Sequence, residues 1–243
     1  FTAERSLTAG VVVVLQDVTK SLQLDNARRE FVANVSHELR TPITTIKSYA
    51  ETIAEMEQDN AGSPVLHFIK VIESEADRMT RLVKDLLTLS KLDSSKYNIQ
   101  KEMFDLGALV RSVSEKLSVA CSGTHEITVE ENMESPDCYG ERDAIEQVLT
   151  NIVSNSIKYT PDGGKIDVKC VGNLKNAVIT VRDNGIGIPA EDLPRVFERF
   201  YRVDKARSRQ SGGTGLGLAI ARDIVVRHGG SISIDSPHRN GTI

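Results

Sequence analysis

The sequence predicts an α+β chain in two parts: a helical hairpin that forms a dimeric four-helix bundle, followed by an α/β sandwich. Two observations carry this. Apolar residues recur at spacings of three, four and seven along both arms of the first part, which is the seam of a coiled bundle. After Asp93 the pattern changes to short alternating runs mixed with amphipathic ones, as in a sheet with helices on one face. The expected boundaries are 1–21 for a strand and linker, 22–93 for the hairpin, and 94–243 for the sandwich.

Taken in order, Gly10 to Thr19 (GVVVVLQDVT) reads as one buried strand rich in β-branched residues, then a turn. A long helix is expected from Leu22 to about Glu57, with Leu24, Phe31, Val35, Leu39, Ile43, Ile46, Ala50 and Ile53 on its seam. Pro42 lacks an N–H and should bend that helix. Gln58 to Pro64 is a loop, punctuated by Gly62 and Pro64. A second helix carries Val65, Ile69, Ile72, Ala76, Met79, Val83, Leu86 and Leu89. Two apolar stripes need a partner. A second hairpin is the simplest one; packing on the chain's own C-terminal domain is the alternative. Beyond Asp93 we expect strands at Ile127–Val129, Ile166–Val171, Ala177–Val181 and Ser231–Asp235, and helices at Leu106–Ser118, Arg142–Lys158 and Gly215–His228.

With 243 residues the chain suits one large or two modest domains, and its net charge of −4 gives no support to nucleic-acid binding. No apolar run reaches the roughly 18 residues of a membrane span, and no signal-peptide pattern is present. The chain opens abruptly at Phe1 and closes on what reads as a strand cut short, so it is expected to be a fragment. Cys121, Cys138 and Cys170 are scattered, which fits a reducing compartment and argues against a zinc site.

His37 is the residue out of place. It stands two positions from both Val35 and Leu39, so at about 100° per residue it points away from the seam. Glu38 is adjacent, and Thr41 lies one turn along. Alone this reads as a solvated helix face. Four blocks far downstream change that: Asn151–Tyr159 (NIVSNSIKY), Asp183–Pro189 (DNGIGIP), Phe197–Arg202 (FERFYR) and Gly212–Leu218 (GGTGLGL). With SHELRTP around His37 they resemble, in content and order, the H, N, G1, F and G2 boxes of the sensor histidine kinases of two-component systems. The resemblance runs from about Leu22 to the end of the chain. It implies a GHKL-type ATP-binding fold, shared with gyrase and mismatch-repair ATPases, ATP and Mg²⁺ as cofactors, and a protein histidine kinase activity. It also implies a homodimer, a response regulator receiver domain as partner, and a full-length protein anchored in the bacterial plasma membrane with this portion in the cytoplasm. The strand at Gly10–Thr19 resembles the exit strand of a PAS sensor domain.

The residue chemistry fits that resemblance. Asn151 and Asn155 share a helix face although asparagine is a poor helix former, and the resemblance makes Asn155 the Mg²⁺ holder with Asn151 near the phosphates. Lys158 can reach a phosphate, and the residue matching Tyr159 packs near the adenine. Asp183 can accept a hydrogen bond from the adenine amino group, while Gly185 and Gly187 let the backbone approach the nucleotide. GGTGLGL lacks the Lys-Ser or Lys-Thr of a P-loop. Gly213, Gly215, Leu216 and Gly217 are expected to turn backbone N–H groups toward phosphate, below a basic stretch holding Lys205, Arg207 and Arg209. Tyr201 and Arg202 belong to the F box, whose arginine reaches the phosphates. The resemblance makes His37 the expected nucleophile, Glu38 its candidate base, and Thr41 the residue that orients water when the partner is dephosphorylated. His228 reads as a helix-ending residue, while His67, His125 and His238 have no partners by sequence. Two rival readings remain: a catalytically silent docking module, and an ATPase that moves a clamp.

Overall fold

The computed structural model describes residues 19–57, 65–94, 98–121, 123–134, 137–173, 176–204, 213–236 and 241–243, with helical side chains 20–30, 54–57 and 66 left aside. The expected strand at 10–19 (apart from Thr19, which is helical), the loop at 58–64 and the basic stretch at 205–212 lie outside the described residues, as do the side chain of Leu24 and His238. Two compact units divide the chain, 1–38 and 39–243.

Helix α1 (Thr19–Glu57) begins slightly before the expected Leu22. Pro42 does not end it, and the proline ring is fully buried. The Thr44 and Thr45 hydroxyls donate to the carbonyls of Arg40 (2.9 Å) and Thr41 (3.1 Å), so these polar side chains are satisfied inside the helix. Helix α2 spans Val65–Asp93. Tyr49 of α1 and Phe68 of α2 lie with ring centroids 5.2 Å apart and join the two arms.

The seam is partly covered. Ile43, Ile69 and Val83 are 51%, 47% and 46% exposed, whereas Leu82, Leu89 and Leu92 are 3%, 0% and 4% exposed. Val83 was expected on the buried stripe and Leu82 was not. The reason is a second face: the C-terminal part of α2 packs on helix α5 (Gly217–Arg227) of the chain's own sandwich. That alternative therefore holds for one stretch of α2.

The sandwich starts with strand β1 (Glu102–Asp105) and helix α3 (Leu106–Ala120), whose N-terminus is capped by Asp105 Oδ1 accepting from Ala108 N at 2.8 Å. Strands β2 (Glu126–Met133) and β3 (Asp137–Gly140), helix α4 (Arg142–Tyr159), and strands β4 (Lys165–Gly172) and β5 (Ala177–Asp183) follow. Strand β1 pairs antiparallel with β3, and neither was expected. The larger sheet has the order β2-β4-β5, parallel between β2 and β4 and antiparallel between β4 and β5. Alternate residues Ile166, Val168 and Cys170 of β4 enter the core, where they meet Leu109, Val110 and Val113 of α3 and Leu149 and Val153 of α4. Burial lifts the Cys170 thiol to about 11, so it behaves as an inert core residue.

Among the described residues no strand is formed at Ser231–Asp235; Asp235 and Ile243 exchange backbone bonds of 2.8 and 2.7 Å. His228 does end α5, and it also starts α4. Its Nδ1–H donates to Ile224 O (2.8 Å), which leaves Nε2 to accept from Glu141 N (3.0 Å) at the mouth of α4. Helix α4 has no side-chain cap of its own there, so an imidazole from another helix replaces it.

Candidate active site

His37 is exposed on α1, Glu38 is half-buried beside it, and Thr41 follows one helical turn later. The imidazole is thus presented to solvent.

A second group of residues gathers where α4 ends and β5 ends. Asp183 closes β5 and is 7% exposed. Its Oδ1 accepts from Gly185 N (3.0 Å) and Thr242 N (3.1 Å), and its backbone N donates to Thr242 O at 2.9 Å. Among the described residues none donates to Oδ2, which leaves that oxygen for a ligand. Ile186 N donates to Tyr159 O (3.1 Å), so the DNGIGIP loop is fastened to the end of α4. Gly185 is required by that fastening: a Cβ there would stand 2.5 Å from the Tyr159 carbonyl. Gly187 has φ +69°, a conformation glycine adopts without strain. Thr242, absent from the sequence reasoning, clasps Asp183 from the far end of the chain.

Cations and amides line the neighbouring edge of α4. Lys158 Nζ lies 5.1 Å from the centroid of the Tyr159 ring. Burial lowers the Lys158 ammonium from its ordinary value, and the charges of Arg202 and of Arg81 on α2 lower it further. The positive charges of Arg202 and Arg81 are thus felt at Lys158, a polarity that suits an anion. Asn155 is half-buried, and its amide has no hydrogen-bond partner among the described residues. Asn151 is committed elsewhere: its Nδ2 donates to Gly217 O at 3.0 Å, tying α4 to the first residue of α5.

The glycine loop meets the F box directly. Phe200 N donates to Gly215 O (2.8 Å), Gly215 has φ +73°, and Phe200 itself sits at φ 64°. Leu216, fully buried, precedes α5, and Gly213 is half-buried. A Cβ on Gly217 would make ordinary contact with Asn151, so that position is not one only glycine can fill. Tyr201 stands apart from the cluster. Its hydroxyl donates to Asp192, and the Arg195 guanidinium lies 4.3 Å from its ring centroid.

A set of contacts from α2 was invisible in the sequence. Arg199 donates to both carboxylate oxygens of Asp93 (2.8 and 2.7 Å) and to Asp223 of α5 (3.1 Å). Thr214 of the glycine loop donates to Asp85 at 2.8 Å, and Arg227 donates to the Leu92 carbonyl. The Arg199 hydrogen bonds hold the Asp93 carboxyl below its ordinary value, whereas burial raises Asp85. Acidic residues on a helix bearing basic neighbours look like a solvated face, so no sequence signal marked them.

Comparison with known proteins adds relatives to this geometry. Residues 140–243 match the histidine kinase-, DNA gyrase B- and HSP90-like ATPases, and residues 27–95 match the His Kinase A (phospho-acceptor) domain. The chain is 46% identical over 239 residues to the sensor histidine kinase WalK of Bacillus subtilis, covering 96% of this chain and 38% of that protein. It therefore spans well under half the length of that relative. Among solved structures it resembles the Acinetobacter baumannii histidine kinase AdeS, with a TM-score of 0.66 and 28% identity over 85% of this chain and 94% of that one. It also resembles the histidine kinase ThkA, solved in complex with the response regulator protein TrrA, with a TM-score of 0.68 and 25% identity over 94% of this chain and 65% of that one.

Proposed function

We propose that this chain, which belongs to the sensor histidine kinases of two-component systems, phosphorylates its own His37 from ATP and passes the phosphoryl group to an aspartate of a response regulator. The observation that carries the proposal is the pairing of two features. One is an exposed imidazole flanked by a carboxylate. The other is an ATPase-type domain whose buried Asp183 has, among the described residues, no donor to Oδ2.

Asp183 Oδ2 accepts a hydrogen from the adenine amino group, and Tyr159 offers its ring to the base. Lys158 and Arg202 face the phosphate charge, and Gly213, Gly215, Leu216 and Gly217 shape the loop beneath it. Asn151 holds that loop at a fixed height above α4. Asn155 would hold Mg²⁺ through its amide oxygen, a hard donor suited to that ion, and the ion would spread the phosphate charge when bound. The described residues contain no cluster of His, Cys, Asp and Glu able to hold a metal, so amide and phosphate oxygens are the donors on offer.

In the transfer, a neutral ring nitrogen of His37 attacks the γ-phosphorus, the bond to the bridging oxygen breaks, and ADP leaves. Glu38 takes the proton from the other ring nitrogen. The phosphoramidate then loses its phosphoryl group to a carboxylate oxygen of the receiver domain. Thr41, one turn along, orients a water that hydrolyses the resulting phosphoaspartate.

The chain acts as a homodimer. The exposed Ile43, Ile69 and Val83 support this, because covering them is favourable by roughly 25 cal/mol per Å² of apolar surface. Among the described residues no helix is long and apolar enough to cross a membrane. We place the chain as the cytoplasmic portion of a longer, membrane-anchored protein.

Incubation with γ-labelled ATP tests the reading. Label on the protein that is lost in acid and kept in base is expected. Release of inorganic phosphate with no labelled protein would mark a clamp-type ATPase instead.

A further inference from the structure

Thr160 ends α4 with its backbone fully engaged and its side chain not. Its N–H donates to Ser156 O at 3.0 Å. Its carbonyl accepts from His125 at 2.9 Å, through a Nε2 that must carry the proton because a carbonyl only accepts. His125, without partners by sequence, is thus a buried brace on this corner. Thr160 is 5% exposed, and its Oγ1 is buried with no hydrogen-bond partner among the described residues. Such a group is expensive to leave unmet, and in native proteins it calls for an explanation. Among the described residues Ser114 is the other buried hydroxyl in that condition, and it lies on the core face of α3.

The surroundings of Thr160 point to a function. Its side chain is held between two buried glycines, with Cγ2 toward Gly164 and Oγ1 toward Gly185. A Cβ built on Gly185 would stand 3.0 Å from Thr160 Oγ1 and 3.0 Å from Asp183 Oδ1, so the hydroxyl and the carboxylate converge on one point. The nearby Tyr159 carbonyl already accepts from Ile186 N. Asp183 Oδ1, by contrast, is the oxygen that gathers donors.

We propose that Thr160 is a positioning residue for base recognition: its hydroxyl is the third donor to Asp183 Oδ1, engaged when nucleotide is bound, and it turns Oδ2 toward the 6-amino group of a purine. With Oδ1 held from three directions, the carboxylate plane cannot rotate, and Oδ2 discriminates purines that carry a 6-amino donor from those that do not. This inference rests on the adenine-reading role of Asp183 and adds the residue that aims it.

The test titrates the full 243-residue chain with ADP and with purine riboside diphosphate, which lacks the 6-amino group. The readout is the ratio of the two dissociation constants, with far-UV circular dichroism confirming the fold. Thr160→Val is nearly isosteric and removes only the hydroxyl. It is expected to weaken ADP about tenfold, the size of one hydrogen bond to a charged group, and to leave purine riboside diphosphate unchanged. Thr160→Ser keeps the hydroxyl and restores the ratio. Thr160→Val should add nothing further to the loss in Asp183→Asn. A ratio unchanged in Thr160→Val, while Asp183→Asn collapses it, overturns the role of Thr160 and leaves the adenine reading standing. A ratio unchanged in Asp183→Asn overturns both.

Discussion

The helical hairpin and the sandwich meet the same physical requirement in opposite ways. In the sandwich, Leu149, Val153, Ile166 and Val168 are at most 1% exposed, and one chain suffices to close that core. In the hairpin, Ile43, Ile69 and Val83 stay about half exposed although they lie on the apolar seam. The part proposed to hold nucleotide closes its core within one chain, while the part proposed to carry the nucleophile leaves apolar residues of its seam uncovered. The difference assigns separate failure modes to binding and transfer, and mutations should separate them.

The largest effect expected is from His37→Gln. Label from ATP should vanish entirely while ADP affinity, read by calorimetry, stays at the wild-type value. Label at the wild-type level on this variant would remove the nucleophile from the hairpin.

Asp183→Asn should act on the other side of the divide. We expect ADP affinity to fall by about ten- to a hundredfold, the range for losing a charged hydrogen-bond acceptor, with no change in oligomeric mass. A drop in mass would show that the sandwich is not independent of the hairpin.

A charge on the seam, as in Ile69→Glu, should convert dimer to monomer in light scattering at micromolar concentration. An exposed apolar position that loses its partner forfeits about 1.5–3 kcal/mol per side chain. ADP affinity should be untouched. A dimer of undiminished stability would mean that this face is not the one covered.

The smallest effect concerns the bond between the two regions. The Arg199 hydrogen bonds depress the Asp93 carboxyl, so the stabilisation is full above the ordinary aspartate value of about 3.9 and is lost as pH falls through the lower native value. Asp93→Asn should therefore lower the melting temperature at pH 7, by an amount that shrinks progressively as pH falls below the ordinary aspartate value. The pair is partly exposed, so the change should correspond to less than about 1 kcal/mol. A difference that persists in acid would assign the effect to packing.

Periodicity made α1, α2, α3, α4 and α5 legible, because each buries a stripe and a stripe repeats. The resemblance of the five boxes marked His37, Asn155 and Asp183 as candidates, and the structure exposes the first, half-buries the second and buries the third. Strands β1 and β3 were not legible: EMFD and DCYG are four residues each, and their pairing depends on contacts distant in sequence. The expected strand at Ser231–Asp235 has the right alternation, and among the described residues only Asp235 is paired, with Ile243. Leu82 and Val83 show the limit most plainly. Both lie on α2 at apolar positions, and only the location of α5 decides which is buried. Thr242 and Arg199 were missed for the same reason, since a clasp between distant segments leaves no local trace.

Arg199 and Phe200 are consecutive residues. The side chain of the first grips Asp93 and Asp223, and the amide of the second grips Gly215. One planar peptide, about 3.8 Å from Cα to Cα, therefore lies between the residue anchored on α2 and the residue bonded to the glycine loop. Phe200 holds a left-handed φ of 64°, which stores about 1–3 kcal/mol in the manner of a wound spring. Two adjacent residues thus fasten α2, α5 and the glycine loop to one short segment, and Phe200→Gly would relieve the left-handed φ while removing the ring.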